Sequence, residues 1–162
     1  MENIEALNEI FSRGRVKTDQ SDLIHWGTDW TRSFEVAPQA VVFPERIDEL
    51  VALVKLAREY SLKLVPSGGR TGLSGGAVAS NDEVIVSFDR MNQIHAFNPT
   101  DRIVGCQAGV ITQRLQEYAF ERGVFYPVDV ASSGSSQIGG NIATNAEGIK
   151  VIRYGLNRDW VA

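Results

Sequence analysis

The chain has 162 residues, 43% of them hydrophobic and 22% charged, which suffices for one globular domain with a moderate core. A formal net charge of −4 without any basic run argues against nucleic acid as a partner. No apolar stretch approaches the roughly 18 residues that cross a bilayer, and the acidic N-terminus is unlike a secretory signal. We therefore expect a cytoplasmic protein without a transmembrane segment, and the single cysteine, Cys106, fits a reducing compartment.

The first part of the chain predicts a short helix and then a strand–helix–strand unit. Residues 4–11 have amphipathic helical spacing, and residues 1–28 as a whole are predicted to be a helical or irregular segment. Residues 39–44 predict a buried strand, residues 46–60 a helix, and residues 62–66 a second strand lying parallel to and beside the first. The predicted inward face of the helix carries Ile47, Leu50, Val51, Val54 and Ala57, widened by Leu53 and Leu56.

The segment PSGGRTGLSGG, residues 66–76, follows that second strand and is the most informative part of the chain. Glycine allows left-handed backbone and a close approach to a ligand, and successive N–H groups at a strand end form a concavity suited to phosphate. The glycine spacing matches neither a P-loop nor the dinucleotide fingerprint. It predicts a strand–loop–strand phosphate cradle at the carboxyl end of a strand, with a flexible surface loop as the alternative.

The second part of the chain predicts three strands, a helix and another glycine-rich segment. Strands are expected over 83–88, 93–97 and 102–108, and Cys106 is expected to be buried in the third of them. A helix over 110–123 should end at Gly123, with Leu115, Tyr118 and Ala119 facing inward. Residues 132–148 mix glycine with small hydroxyl and amide side chains, which favours a packed, ligand-facing segment over a low-complexity linker.

Several features predict no site of their own. His25 and His95 are expected to be structural or surface residues. No cluster of histidine, cysteine and aspartate has metal-ligand spacing, and no arrangement of a nucleophile with histidine is evident. The sequence therefore predicts neither a metal site nor a hydrolytic triad.

Four ordered segments carry a resemblance to a known family. They are PSGGRTGLSGG, DEVIVSFDRMNQI, CQAGV, and the run from PVD through GSSQIGGNIATNAEG to RYG. Together they resemble the flavin-binding domain of the FAD-linked oxidases, the vanillyl-alcohol-oxidase-like flavoproteins with the p-cresol-methylhydroxylase-type (PCMH-type) fold. Within that family they are most similar to D-2-hydroxyglutarate dehydrogenases, followed by D-lactate dehydrogenases and glycolate oxidase flavin subunits.

The resemblance implies an α+β fold, FAD as the cofactor, and a set of binding residues. The fold would be a small βαβ lobe followed by an incomplete second α/β lobe with a mixed sheet, with residues 29–162 forming the FAD-binding domain. The FAD diphosphate would be held, mainly by backbone N–H groups, at Pro66, Ser67, Gly68, Gly69, Arg70, Thr71, Gly72, Leu73, Ser74 and Gly75, with Gly76 completing the turn. The second segment would line the path to the flavin ring with Gly134, Ser135, Ser136, Ile138, Gly139, Gly140, Asn141, Thr144 and Asn145.

Three further positions and two departures complete this set. Gly109 would lie near the adenosine, and Pro127 and Asp129 beside the cofactor. Arg70 stands where many relatives have a small or amide residue, and we expect its guanidinium to add a charge-assisted contact to the diphosphate. Glu147 stands where glycine is common, so its backbone should avoid a glycine-only conformation.

The same resemblance implies a function for a longer protein. In the family, hydride passes from the α-carbon of a 2-hydroxy acid to flavin N5, giving a 2-oxo acid. We expect the chain to be C-terminally truncated, without the substrate domain, so that it assigns no catalytic residue, turns nothing over and self-associates through an unfinished sheet edge. The alternatives are a non-catalytic flavin-fold module and a flavoenzyme of the same fold with another substrate.

Overall fold

Two compact units make up the part of the chain that the structure, a computed structural model, describes, namely residues 2–12 and 14–162. The first unit ends at Met91, and the second runs from Asn92 to Ala162. Each unit combines helices with a β-sheet, so the α+β class predicted from the sequence is confirmed. The predicted division into residues 1–28 and 29–162 stays a prediction.

The first unit is built on a four-stranded mixed sheet in the order β1-β2-β4-β3. Its strands are β1 (Val16–Lys17), β2 (Ala40–Val42), β3 (Leu64–Ser67) and β4 (Val84–Ser87). Strand β1 is antiparallel to β2, whereas β2 and β3 are both parallel to β4. The prediction that β3 lies beside β2 is wrong, because β4 lies between them. The four residues of β4 are all buried, as expected for a central strand flanked on both sides.

Three helices accompany this sheet: α1 (Glu2–Ile10), α2 (Gln20–Gly27) and α3 (Ile47–Glu59). Leu7 and Phe11, at and just after α1, are fully buried in a core with Val42 and Leu53. The segment that the sequence predicted to be helical or irregular is therefore part of the core of the first unit, and it also contributes β1 to the sheet.

Helix α3 buries only part of the predicted face. Its buried residues are Glu49, Leu53 and Ala57, one helical turn apart, and Leu50 and Leu56 pack partly against the core. Three predicted inward residues are exposed instead: Ile47, Val51 and Val54.

A buried charged residue, Glu49, accounts for which side of α3 faces the core. The Glu49 carboxylate accepts two hydrogen bonds of 2.8 Å from the guanidinium of Arg15, itself buried, and others from the backbone N–H groups of Glu45 and Arg46. These bonds satisfy the carboxylate, which is why it can lie inside.

The second unit contains a hairpin and short helices. Strands β5 (Ile94–Asn98) and β6 (Ile103–Cys106) are antiparallel, and they are followed by α4 (Thr112–Phe120), α5 (Ile138–Ala143), α6 (Val151–Tyr154) and a 3-10 helix (Asn157–Trp160). Its core consists of Val110, Leu115 and Ile138, with partly buried residues from both strands around them. The mixed sheet that was expected in this lobe belongs to the first unit instead.

Several smaller predictions can be checked here. Leu115 and Ala119 are buried and Tyr118 is half-buried, as expected, and Gly123 after α4 has a left-handed φ of 73°. Cys106 lies in β6 but is only half-buried, and His25 and His95 are exposed. Within residues 2–12 and 14–162, no helix has both the length and the apolar character needed to span a membrane.

Candidate functional site

The loop between β3 and β4 offers a row of free hydrogen-bond donors. Of the backbone N–H groups from Gly68 to Ala77, that of Gly75 alone donates to an acceptor among the residues that the structure describes. The run starts where β3 ends, at the carboxyl edge of two parallel strands. Backbone N–H groups without an acceptor need water or a ligand, and a curved row of them suits an anion.

Two residues between 68 and 77 have left-handed backbone. Arg70 has a φ of 55° and Gly75 a φ of 75°, and no other residue of this stretch has a positive φ. A side chain is rarely placed in this conformation, so glycine suits position 75 and Arg70 carries some strain.

Neither tight packing nor the backbone conformation requires glycine at positions 72 and 76. A β-carbon built on either residue would meet no heavy atom of the chain within 4 Å. Neither has a left-handed φ, so neither backbone demands glycine. The space over these residues is open and can admit a ligand close to the backbone.

Asp29 holds the far end of the loop. It is 4% exposed and follows α2; its Oδ2 accepts a hydrogen bond of 3.0 Å from the Gly75 N–H. Its Oδ1 accepts bonds from the N–H and hydroxyl of Thr31, at 3.0 and 2.6 Å. Burial alone would raise the pKa of Asp29, but the hydrogen bonds from Thr31, Gly75 and Arg32 outweigh burial and lower this pKa below its ordinary value.

The guanidinium of Arg70 is engaged with the chain itself. Its Nη1 donates to the carbonyl of Gly68 at 3.0 Å and lies 3.9 Å from Asp89 Oδ2, and the group stacks over Trp26 at 6.0 Å. The same Asp89 oxygen accepts a bond of 2.9 Å from Trp26 Nε1. The predicted contact from Arg70 to a diphosphate would require these contacts to be exchanged.

The other predicted residues of the loop 66–76 differ in exposure. Ser67 is fully buried, with its hydroxyl 3.4 Å from the carbonyl of Trp26. Pro66, Leu73 and Ser74 are exposed, and Gly68, Gly69 and Thr71 are half-buried. The hydroxyls of Thr71 and Ser74 are therefore further candidate donors beside the backbone N–H groups.

The second glycine-rich segment has a different character, because most of its polar groups already have partners. Thr112 Oγ1 lies 2.7 Å from Ser136 Oγ and accepts a bond of 2.6 Å from Asn141 Nδ2. All three residues are buried, as is Ile138 beside them. The structure thus joins the side chains of Ser136 and Asn141 through Thr112, and Ile138 packs in the core with Val110 and Leu115.

Glycines in this segment also serve packing. A β-carbon on Gly139 would lie 2.7 Å from that of Ala108, and one on Gly148 would collide with the backbone of Asp129. Gly109 and Pro127 are buried, and the half-buried Asp129 forms an ion pair of 3.0 Å with Lys150.

The other predicted residues of this segment remain accessible or fixed locally. Asn145 has a left-handed φ of 50°, and its Oδ1 accepts a bond from the backbone N–H of Arg158 at 3.0 Å. Glu147 does not have a left-handed φ. Four further predicted residues are exposed: Gly134, Ser135, Gly140 and Thr144.

Within the described part of the chain, no group of three or more histidine, cysteine, aspartate or glutamate residues could hold a metal ion. The donor chemistry of the first loop, N–H groups and hydroxyls, suits an anion instead.

Comparison with known proteins decides the family. The family model described as an FAD binding domain matches residues 38–162. The chain belongs to this family of FAD-binding domains. The predicted cofactor, FAD, is thereby confirmed, and the likeness to a solved p-cresol methylhydroxylase confirms the PCMH-type fold.

The relatives of this FAD-binding domain agree with the assignment. It is 57% identical over 159 residues to the D-2-hydroxyglutarate dehydrogenase of Stutzerimonas stutzeri (strain A1501), covering 98% of the chain and 34% of that protein. A solved alkyldihydroxyacetonephosphate synthase is 24% identical with a TM-score of 0.89, over 98% of the chain and 31% of that structure. A p-cresol methylhydroxylase with substrate bound is 17% identical with a TM-score of 0.74, over 90% of the chain and 29% of that structure. The chain spans about a third of the length of its curated relatives.

The residues of the first loop fit the diphosphate of FAD. The cofactor carries a double anion that needs several donors, and the N–H groups of residues 68–74, which have no acceptor among the described residues, are available for it. The open space over Gly72 and Gly76 leaves room for the phosphates to approach the backbone.

Three residues of this site were missed from the sequence: Asp29, Trp26 and Asp89. The sequence TDWT around Asp29 has the Asp-x-Thr spacing of a local turn, which was a usable signal. Nothing in the sequence could reveal that Asp29 would reach Gly75, because 46 residues separate the two partners.

Proposed function

We propose that the loop of residues 66–76 holds the diphosphate of FAD. The observation that carries this proposal is the row of N–H groups from Gly68 to Ser74 that have no acceptor among the described residues. Each such group forms a hydrogen bond of modest net worth, about 1 kcal/mol, so that several together give useful affinity. The contacts predicted for the second unit, at Gly109, Pro127, Asp129 and the segment 134–145, are part of this proposal.

The cofactor and the homology together support an activity for a protein of the relatives' length. We propose an FAD-dependent dehydrogenase that oxidises a D-2-hydroxy acid, with D-2-hydroxyglutarate as the first substrate to test because the Stutzerimonas relative bears that name. When bound, FAD supplies the two-electron acceptor. The described residues grip and orient the cofactor, and none of them is assigned to the chemical step.

A cytoplasmic location and self-association belong to the same proposal. The single thiol, Cys106, is half-buried in β6, and burial raises its pKa, which suits a reduced cysteine without a partner. Exposed apolar side chains near the C-terminus, Ile149, Ile152, Trp160 and Val161, support association with another polypeptide surface.

The cradle is tested by Gly72→Val in the 162-residue chain. We expect the unchanged chain to bind ADP and FAD saturably, because both carry the diphosphate, and to show no turnover of 2-hydroxy acids. The valine should remove most of this binding, because its side chain fills the space over the loop. Affinities are measured by calorimetric titration with ADP and by flavin fluorescence with FAD.

Gly105→Ala is the matched control. Gly105 lies in β6, and a β-carbon there would meet His95 at an ordinary 3.4 Å, so binding should be unchanged. A Gly72→Val chain that keeps its ADP affinity would show that the diphosphate binds elsewhere.

A further inference from the structure

Asp29 is a buried carboxylate that lies outside the loop of residues 66–76 but bonds to it. Its two carboxylate oxygens have separate tasks: Oδ1 accepts from Thr31, close in sequence, and Oδ2 accepts from the Gly75 N–H. The carboxylate therefore joins a local turn to the end of the loop, 46 residues further along the chain.

Packing and hydrogen bonds around this contact hold the backbone at Gly75 in place. Gly75 is left-handed, and a β-carbon there would lie 3.2 Å from the ring of Phe34, so the backbone is closely packed. Beyond it, the N–H of Val78 donates to the Gly75 carbonyl, and the N–H of Ala79 donates to the carbonyl of Gly27. The loop is thus fastened by β3 at its start and by Asp29 at its end, with the free N–H groups between.

A carboxylate close to a diphosphate site repels the phosphates unless neighbouring donors bond to it and offset its charge. Here three donors bond to the carboxylate of Asp29, and the residue is 4% exposed. Its charge therefore acts mainly on the loop backbone and on Thr31. It also occupies the Gly75 N–H, which leaves the diphosphate to the N–H groups before it.

We propose that Asp29 is a positioning residue for FAD, holding the Gly75 N–H so that residues 68–74 keep the curvature that receives the diphosphate. This inference rests on the proposed function of the loop. Asparagine cannot replace the aspartate, because both carboxylate oxygens face donors and one of them would become an NH2 group directed at a donor.

The experiment compares ADP and FAD affinity of the 162-residue chain with Asp29→Asn and Asp29→Glu variants. We expect Asp29→Asn to weaken both affinities by the same factor, about tenfold, which is the scale of one lost charge-assisted hydrogen bond. Asp29→Glu keeps a charged acceptor and should recover part of the loss. An unchanged or tighter ADP affinity in Asp29→Asn would overturn the inference, because removal of a merely repulsive charge has that effect.

Two controls separate positioning from general stability. Thr31→Val removes a donor to the same carboxylate but leaves the Gly75 contact, and Asp48→Asn removes a negative charge from the exposed start of α3. Both should bind ADP as the unchanged chain does. A loss in Thr31→Val equal to that in Asp29→Asn would overturn the inference, because Gly75 would then not be the route.

Hydrogen exchange supplies a readout that a general loss of stability does not imitate. In ligand-free Asp29→Asn, peptides covering residues 68–79 should exchange faster while peptides of β4 keep their rates. Equal acceleration in both regions would contradict a positioning role. If Asp29→Asn does not fold, Asp29→Glu carries the same comparison, and an unchanged ADP affinity together with a faster loop would overturn the inference.

The proposed function and this inference fail in distinguishable ways. If the unchanged chain binds neither ADP nor FAD, or if Gly72→Val binds normally, the cradle itself is misassigned. If the unchanged chain binds and Gly72→Val does not, while Asp29→Asn binds normally, the cradle stands and only the role of Asp29 is refuted.

Discussion

The Arg70 side chain, predicted to contact the diphosphate, also forms contacts within the loop. Its guanidinium bonds to the Gly68 carbonyl and lies near Asp89, so its charge is used within the first unit. Its φ of 55° is unfavourable for arginine, which implies that the contacts of the side chain compensate for the strained backbone.

Replacement of Arg70 by asparagine separates these two roles. Asparagine tolerates a left-handed φ, and the guanidinium is engaged with Gly68, Asp89 and Trp26. We therefore expect FAD affinity in Arg70→Asn to stay within about twofold of the original, the scale of an exposed ion pair. Arg90→Asn removes an equal charge from an exposed pair with Glu45 and serves as the control. A large loss confined to Arg70→Asn would show that its side chain reaches the diphosphate.

At the scale of the element, α3 illustrates a limit of hydrophobic periodicity. Periodicity placed two apolar stripes inside, one with Ile47, Val51 and Val54 and the other with Leu50, Leu53 and Ala57. Only the second stripe packs against the core, together with Glu49, whose carboxylate bonds to Arg15. Periodicity identified the helix and most of its length correctly, but a buried ion pair, invisible to hydropathy, determined its rotation.

Leu53→Ala and Val54→Ala test this rotation on adjacent residues. Leu53 is fully buried against Leu7 and Phe11, so its truncation should lower the free energy of unfolding by about 2–5 kcal/mol. Val54 is 60% exposed, and the same truncation there should cost no more than about 0.5 kcal/mol. Urea denaturation followed by circular dichroism measures both, and equal losses would place both stripes inside.

The Glu49 carboxylate also predicts how stability depends on pH. The hydrogen bonds from Arg15, helped by the N–H groups of Glu45 and Arg46, outweigh burial and lower the pKa of Glu49 from 4.5 to about 2. Because the pKa is lower in the folded state, this stabilisation is complete above about pH 4.5 and is lost as the pH falls towards 2, by about 3 kcal/mol in total. Between pH 4.5 and 2, the free energy of unfolding measured by denaturation should depend less on pH in Glu49→Gln than in the unchanged chain. An unchanged pH slope would contradict the assignment.

At the scale of the whole molecule, the sequence predicted strands β2 to β6, helices α1, α3 and α4, and both glycine-rich segments, but neither β1 nor α2. It did so because hydrophobic runs and glycine clusters are local signals. It did not predict that β4 lies between β2 and β3, since strand order depends on pairing between distant segments. It also missed α5, whose six residues contain two glycines and look like a loop.

The candidate site was predictable to a similar degree. The loop 66–76 was found because a strand that ends in glycines is recognisable on its own. The partners that shape it, Asp29, Trp26 and Asp89, come from elsewhere in the first unit and carry no local mark of that role. That the second segment faces a ligand stays a prediction, and the contacts of Ser136 and Asn141 with Thr112 were not foreseen.

The unsatisfied N–H groups after β3 have a thermodynamic consequence. Before a cofactor arrives they must be hydrated, so binding exchanges one set of hydrogen bonds for another and the net gain from each is small. Affinity then arises from many weak donors acting in concert, and it tolerates the loss of any one of them. What such a surface cannot tolerate is a change of shape, since that would misalign every donor simultaneously.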